Sequence, residues 1–233
     1  MISLTDAVKD KPAITALFYC APGVGKSTAL GIIAEKSEGR TLVLDVDRTF
    51  INTMRKMEVV KDLSKIDVIQ IDNINTFKDW TDKLMELDGM SKSGELDKYE
   101  NICVDNISEL ERCILSDLGN QGKNKGVPAQ PDYQYTQFKL VNSLRYMKQW
   151  GKNIYWTAWE TPEQLNNPDG TYYNRLVPKI SPKVVDNICG LCDVVAKILV
   201  KQDGTRGFIL EATQNIYAKN QIDSRKGCLI EEF

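Results

Sequence analysis

The chain has 233 residues, a length that suits one large domain and is marginal for two. Its 42% hydrophobic and 27% charged content is that of a water-soluble globular protein, and no run approaches the roughly 18–20 apolar residues that span a bilayer. A net charge of −2 excludes a protein held to nucleic acid by bulk charge, so such a partner has to be met by local basic loops. Residues 1–6 lack a basic stretch followed by an apolar core, so no secretory leader is expected. Six scattered cysteines form no dense framework and point to free thiols in a reducing cytosol. Cys189 and Cys192 have metal-like spacing, but there is no second pair and no histidine in the chain, and they read as small packing residues.

Residues 1–13 read as an N-terminal arm in which Leu4, Ala7 and Val8 could form one helical turn, and residues 14–233 as a single domain. Residues 14–19 are a short apolar run, a buried strand. Cys20, Ala21, Pro22, Gly23, Val24, Gly25, Lys26 and Ser27 follow, and then a helix-spaced apolar stretch to residue 35. Strand, glycine-rich turn and helix opening at Lys-Ser is the context of a phosphate-binding P-loop. Gly23 and Gly25 let successive amides face inward, the helix N-terminus adds positive charge, Lys26 reaches the β- and γ-phosphates, and Ser27 binds Mg²⁺. Pro22, Val24 and Thr28 complete the cradle. The first position of the motif, ordinarily glycine, is Cys20.

Residues 41–45 are a second strand, with Asp45 and Asp47 at its end, and Phe50, Ile51, Met54 and Met57 mark the next helix. Residues 67–71 are a third strand. Phe77, Trp80, Leu84 and Leu87 stripe a helix ending near Gly89, and 89–99 reads as a polar loop. Residues 99–105 are a fourth strand, followed by a helix carrying Ile107, Leu110, Ile114, Leu115 and Leu118. Residues 119–132 are a long Gly/Pro-rich connection of the kind that is functional or mobile. The helix over 133–150 turns Phe138, Val141, Leu144 and Met147 inward. Residues 153–159 are a fifth strand, and 160–180 a polar stretch whose Asn167, Pro168, Asp169 and Gly170 suggest a hairpin turn. Val184, Val185, Ile188 and Leu191 suggest a helix, and strands at 193–201 and 206–213 flank the hairpin pair Asp203 and Gly204. The tail from Gln214 is mixed and polar. Alternating strands and helices predict a mostly parallel α/β sheet covered on both faces, with a C-terminal antiparallel hairpin. Ligands bind such sheets at the carboxyl ends of the strands, where the P-loop, Asp45, Asp47, Asp105 and Trp159 converge.

Residues 102–105, three apolar positions ending in Asp105, have the form of a Walker B strand, whose carboxylate holds Mg²⁺ opposite Ser27. Asp105 could instead cap the helix that follows. The next residue, where many P-loop ATPases carry a catalytic glutamate, is Asn106, which cannot be a base. Asp47 is the alternative base for the attacking water, or else the N-cap of the helix bearing Phe50.

The P-loop with Asp45, Asp47 and Asp105 resembles the RecA/Rad-type recombinase ATPase core, and within it the compact phage ATP-binding proteins of the Sak-type single-strand annealing group, over roughly residues 13–222. The resemblance implies a RecA-like P-loop NTPase core in which Asp47 stands where the catalytic glutamate ends the strand, with Lys26 assisting catalysis. Thr157, Ala158, Trp159 and Glu160 are similar to a segment in which a polar residue senses the γ-phosphate; Trp159 holds that place, leaving Thr157 or Glu160 for the role. Lys219 matches a lysine that reaches ATP in the adjacent subunit, which implies a ring or filament with ATP between protomers. Two loops bind single-stranded DNA in recombinases. Their counterparts, 119–132 and 160–180, offer Lys123, Lys125, Tyr172, Tyr173, Arg175 and Lys179 as cations for phosphates and rings for bases.

The leading expectation is an ATP- and Mg²⁺-dependent, slowly hydrolysing protein that assembles on single-stranded DNA and promotes annealing or strand pairing. It would act in the cytoplasm, of a bacterial host if phage-encoded, with a single-strand-binding protein as a further partner and no membrane. The alternatives are a P-loop ATPase acting on protein partners, a non-hydrolysing nucleotide-gated binding module, and, with less support, a small-molecule kinase with Arg175 in its lid.

Overall fold

A computed structural model describes residues 12–57 and 60–233. The proposed helical turn at Leu4, Ala7 and Val8 lies outside the described residues. The chain order is β1 (Thr15–Cys20), α1 (Lys26–Lys36), β2 (Arg40–Asp45), α2 (Phe50–Lys56), β3 (Ile66–Gln70), α3 (Thr76–Ser93), β4 (Tyr99–Asp105), α4 (Ile107–Gln121) and α5 (Gln130–Met147). It continues with β5 (Asn153–Asn166), β6 (Tyr172–Pro178), α6 (Pro182–Leu191), β7 (Val194–Val200), β8 (Arg206–Ile209), β9 (Lys219–Asn220) and β10 (Gly227–Leu229).

The sheet runs β10-β8-β7-β1-β5-β4-β2-β3. From β7 to β3 every pairing is parallel, and β8 and β10 extend the β7 edge antiparallel. The expected mostly parallel α/β sheet with a C-terminal antiparallel hairpin is the architecture observed. All of β1 is buried, as a central strand covered on both faces must be. Its alternate residues go to opposite layers. Leu17 and Tyr19 join Leu42, Ile102, Val104 and Trp156 under α3, α4, α5 and α6. Ala16, Phe18 and Cys20 join Val43, Cys103, Tyr155 and Phe208 under α1 and α2.

Several local expectations are corrected. Gly89 does not end its helix: α3 continues to Ser93, where Gly94 at φ +82° takes the left-handed turn, and a 3-10 turn at Glu95–Lys98 fills the expected loop. The connection after α4 is shorter than 119–132, because α4 runs to Gln121 and α5 starts at Gln130. Phe138 does not face inward; it is 68% exposed, while Leu140, Val141, Leu144 and Met147 make the buried stripe. The hairpin expected within 160–180 is present: β5 continues past the sheet to pair antiparallel with β6, from Glu160 opposite Pro178 to Asn166 opposite Tyr172. The tail is ordered: β9 and β10 join the sheet, and Ile230 and Phe233 pack against the α1 layer. All six cysteines are free, and five are buried.

The layer beneath the P-loop is closed by aromatic contacts. Phe18 stacks on Phe208 at 4.4 Å between centroids, lies 5.7 Å from Tyr155 and meets the edge of Phe233 at 5.3 Å. Phe18→Ala is expected to cost about 3–5 kcal/mol and to lower Tm by roughly 10 °C in a thermal melt. A melt unchanged from wild type would show that this layer is not close-packed.

Candidate active site

The loop between β1 and α1 has the conformation its glycines allow. Gly23 lies at φ +80° and Gly25 at φ +126°, a region that side chains rarely enter. Gly25 is the N-cap of α1 and supplies no side-chain cap, so the first amides of the helix are left for an anion. Cys20 is the last residue of β1, paired with Trp159, so the position ordinarily held by glycine is extended backbone that any residue adopts. Burial pushes its thiol up to about 11, which removes it as a nucleophile. Pro22, Gly23, Lys26, Asp47, Thr49 and Trp159 are among the residues that line a cleft of about 330 Å³ over this loop; Ser27 and Thr28 lie in the same wall.

Asp105 ends β4 in register with Asp45 at the end of β2, and β5 separates β4 from β1. The Asp105 carboxylate is fully buried and accepts from Ser27 Oγ at 2.5 Å and from Thr157 Oγ1 at 2.6 Å. Burial holds its carboxyl above the ordinary range despite these two donors. Thr157 is thereby tied to Asp105, and Glu160 is ion-paired with Lys197, neither of which is among the residues lining the cleft. Trp159 lines the cleft. Its amide donates to Ser108 Oγ at 2.9 Å, and Arg112 and Lys179 each stand 5.8 Å from its ring centroid.

Asp47 is in the cleft wall. Its Oδ1 accepts from Thr49 Oγ1 at 2.7 Å, and its Oδ2 from Asn106 Nδ2 at 2.8 Å. Asp47 does not cap α2; the Phe50 amide donates instead to Asp45 Oδ2 at 3.3 Å. Asp105 does not cap α4 either. Asn106 does, its Oδ1 accepting from the Glu109 amide at 2.9 Å. One amide side chain therefore starts α4 and fixes the candidate base. Its capping role was readable from Asn-x-x-Glu ahead of an apolar helix, whereas its grip on Asp47, 59 residues away, left no local signal.

The proposed DNA-facing residues divide. Lys123, Lys125, Tyr172 and Lys179 are exposed, and Tyr173 is half-buried. Arg175 is engaged within the fold, paired with Glu163 at 2.8 Å and lying over the Tyr217 ring at 5.2 Å. Lys219 Nζ donates to the carbonyls of Cys189, Gly190 and Cys192 at 3.3, 3.0 and 2.6 Å, a cationic cap on the C-terminus of α6.

Lys219→Met should lower the unfolding free energy by roughly 1–2 kcal/mol in dilute, nucleotide-free protein, since it removes a charged cap. An unchanged denaturation midpoint would show that the cap contributes nothing to the isolated chain. Asp45 yields a second expectation. Burial, then the charges of Asp105 and Asp47, push its carboxyl up to about 6 from the ordinary 3.8, and Oδ1 has no partner. Because the folded value is the higher, its proton contributes stability that is fully present below the unfolded value and lost as pH rises through about 6. In urea titrations without nucleotide or divalent ions, wild type should therefore lose stability relative to Asp45→Asn between pH 4 and 7. A constant difference would contradict this.

Comparison with known proteins agrees with this geometry. A family model described as an AAA domain matches residues 13–222. No curated protein matches the chain. The match spans the P-loop, the Asp105 strand and the whole sheet as far as β9. The chain belongs to the AAA domain family of P-loop NTPases and carries its nucleotide-binding ATPase fold.

Proposed function

We propose that this chain is an ATP-dependent, recombinase-like protein that binds single-stranded DNA and promotes annealing or strand pairing, with slow Mg²⁺-dependent hydrolysis. The observation that carries the ATPase part is the Asp47 carboxylate, held by Asn106 and Thr49 in the cleft that Lys26 and Ser27 line. Oδ1 accepts both the hydroxyl and the amide of Thr49, while Oδ2 accepts only from Asn106 and keeps a lone pair with which to orient a water and accept its proton. Aspartate is one methylene shorter than the glutamate of fast ATPases, which supports slow turnover. Lys26 would bind the β- and γ-phosphates and offset charge that develops on them.

Ser27 and Asp105 are the residues that would hold Mg²⁺. Their hard oxygen donors fit it, as does the raised carboxyl of Asp105, since a cation relieves the cost of burying that charge. Among the described residues no three acidic, cysteine or histidine side chains close around a metal, as suits an ion shared with phosphates and water. When bound, the ion would neutralise phosphate charge in the transition state.

The DNA part is supported by the β5–β6 ribbon. It leaves the sheet just past Trp159 and exposes Tyr172 near its tip, with Lys179 following its return strand. Tyr173, Lys123 and Lys125 would add ring and charge, and Arg175 would act only after leaving Glu163. Assembly as a ring or filament with ATP between protomers would require Lys219 to release α6. A single-strand-binding protein is a further partner in this reading. No helix among the described residues is long and apolar enough to cross a membrane, and action in the cytoplasm, of a bacterial host if phage-encoded, is part of the proposal.

One observation favours a second reading, an ATPase that acts on protein partners: Phe138 and Tyr135 are 68% and 62% exposed on α5. ATP turnover with and without single-stranded DNA, on wild type and Lys26→Ala, separates the readings. DNA-stimulated turnover that vanishes in the variant is the expected result. Turnover indifferent to DNA would move the assignment to protein partners. Tight binding without turnover would leave a nucleotide-gated binding module.

A further inference from the structure

Arg206 opens β8, and the residues two and four positions on, Phe208 and Leu210, are buried in the layer beneath α1. The alternation of an extended chain turns Arg206 toward that same layer. There its side chain lies against the P-loop. A Cβ built on Gly25 would meet Arg206 Nε at 2.8 Å and Cδ at 3.3 Å, with Thr28 Cβ at 3.5 Å. A side chain at this position would displace the guanidinium from where it lies.

The guanidinium is poorly satisfied. Nε is enclosed and has no hydrogen-bond partner, and Nη1 donates one long bond, 3.4 Å, to the Gly204 carbonyl. Among the described residues no carboxylate lies within ion-pair distance of it. Its surroundings are also of its own sign. The N-terminus of α1 carries partial positive charge, and Lys26 is the first residue of that helix. A cation held against a helix N-terminus with a buried donor unspent is unfavourable in the empty site and favourable once an anion lies between them.

We propose that Arg206 is a nucleotide-contacting residue, closing the α-phosphate and sugar side of the site; this rests on the reading of the P-loop as an ATP site. β8 lies on one side of β1, whereas β5, which carries Trp159, and β2, which leads into Asp47, lie on the other, so Arg206 approaches the P-loop from the side away from the candidate base. It lies against Gly25, beside which Thr28 stands in the first turn of α1, where the loop backbone turns from the β- to the α-phosphate. Contact at that end is common to ATP and ADP. Arg206 therefore anchors the nucleotide through hydrolysis and slows release of the product, without helping the site to tell the two apart.

The test is calorimetric titration of wild type, Arg206→Ala, Arg206→Gln, Arg206→Lys and Lys26→Ala with Mg-ATP and Mg-ADP, beside thermal melts without nucleotide. The Gln variant keeps most of the stem that packs on Gly25, so the comparison survives if the Ala variant folds poorly. Expected is an equal loss for ATP and ADP of about tenfold in the Ala and Gln variants, partial recovery with Lys, and unchanged melting of the Gln variant. Affinities equal to wild type, or a loss confined to ATP, would overturn the proposal while leaving the P-loop assignment intact. A lower melting point with unchanged affinities would make Arg206 a support of the loop and overturn it equally. Wild type that binds neither nucleotide, or Lys26→Ala that binds both like wild type, would instead overturn the P-loop reading itself.

Discussion

Everything at this site depends on a carboxylate buried where no water reaches it. Burying an ionised group unpaired is prohibitive, and Asp105 is tolerated because two hydroxyls are delivered to it from different elements. Ser27 comes from the first turn of α1, Thr157 from the strand between β4 and β1. The backbone carbonyl of the same residue takes the Val46 amide at 2.7 Å and so fixes where the chain leaves β2. One residue thus joins the phosphate loop, the central strand and the segment that carries Asp47.

The polar groups around this carboxylate form a chain of supports, each doing two tasks. Asn106 starts a helix and holds Asp47. Asp45 anchors the α2 amide and receives the Ile71 amide on its carbonyl. Three aspartates crowd the carboxyl ends of β2 and β4, and burial, then the charges of Asp105 and Asp47, raise the carboxyl of Asp45. Such crowding is costly in the empty fold and is the electrostatic setting that a cation with phosphates resolves. Stability and function therefore pull in opposite directions at this edge, as they commonly do where a site is built before its ligand arrives.

Much of this was legible in the sequence because the signals are short-ranged. The P-loop is eight consecutive residues, and the strands that flank it are continuous apolar runs that suit burial on both faces. Asp105 and Asp47 were found because each ends such a run. What escaped was carried by distant partners. Nothing near Lys219 in sequence announces the carbonyls of α6 that it caps, and nothing near Arg206 announces Gly25, 181 positions before it. Helix boundaries failed for a different reason. Gly89 is tolerated in α3 because a Cβ there would meet nothing within 4 Å, so its lack of a side chain records no constraint, whereas Gly94, with a left-handed φ, is the true stop. Phe138 misled because a helix with aromatic residues around much of its circumference has no clean apolar stripe to read.

The 14-residue strand β5 has a mechanical side. Its first half is clamped between two parallel neighbours, and its second half pairs with β6, which is itself tied down at Leu176 by the Asn215 carbonyl and the Tyr217 amide. The transition falls at Trp159 and Glu160, against the nucleotide cleft. Leu176 stands opposite Pro162, and past that tie, at about 3.3 Å per residue, the free end reaches roughly 13 Å, so a tilt of about 5° there carries the tip through about 1 Å. The ribbon is a short lever rooted beside the cleft: a displacement too small to disturb the sheet is enlarged at Tyr172.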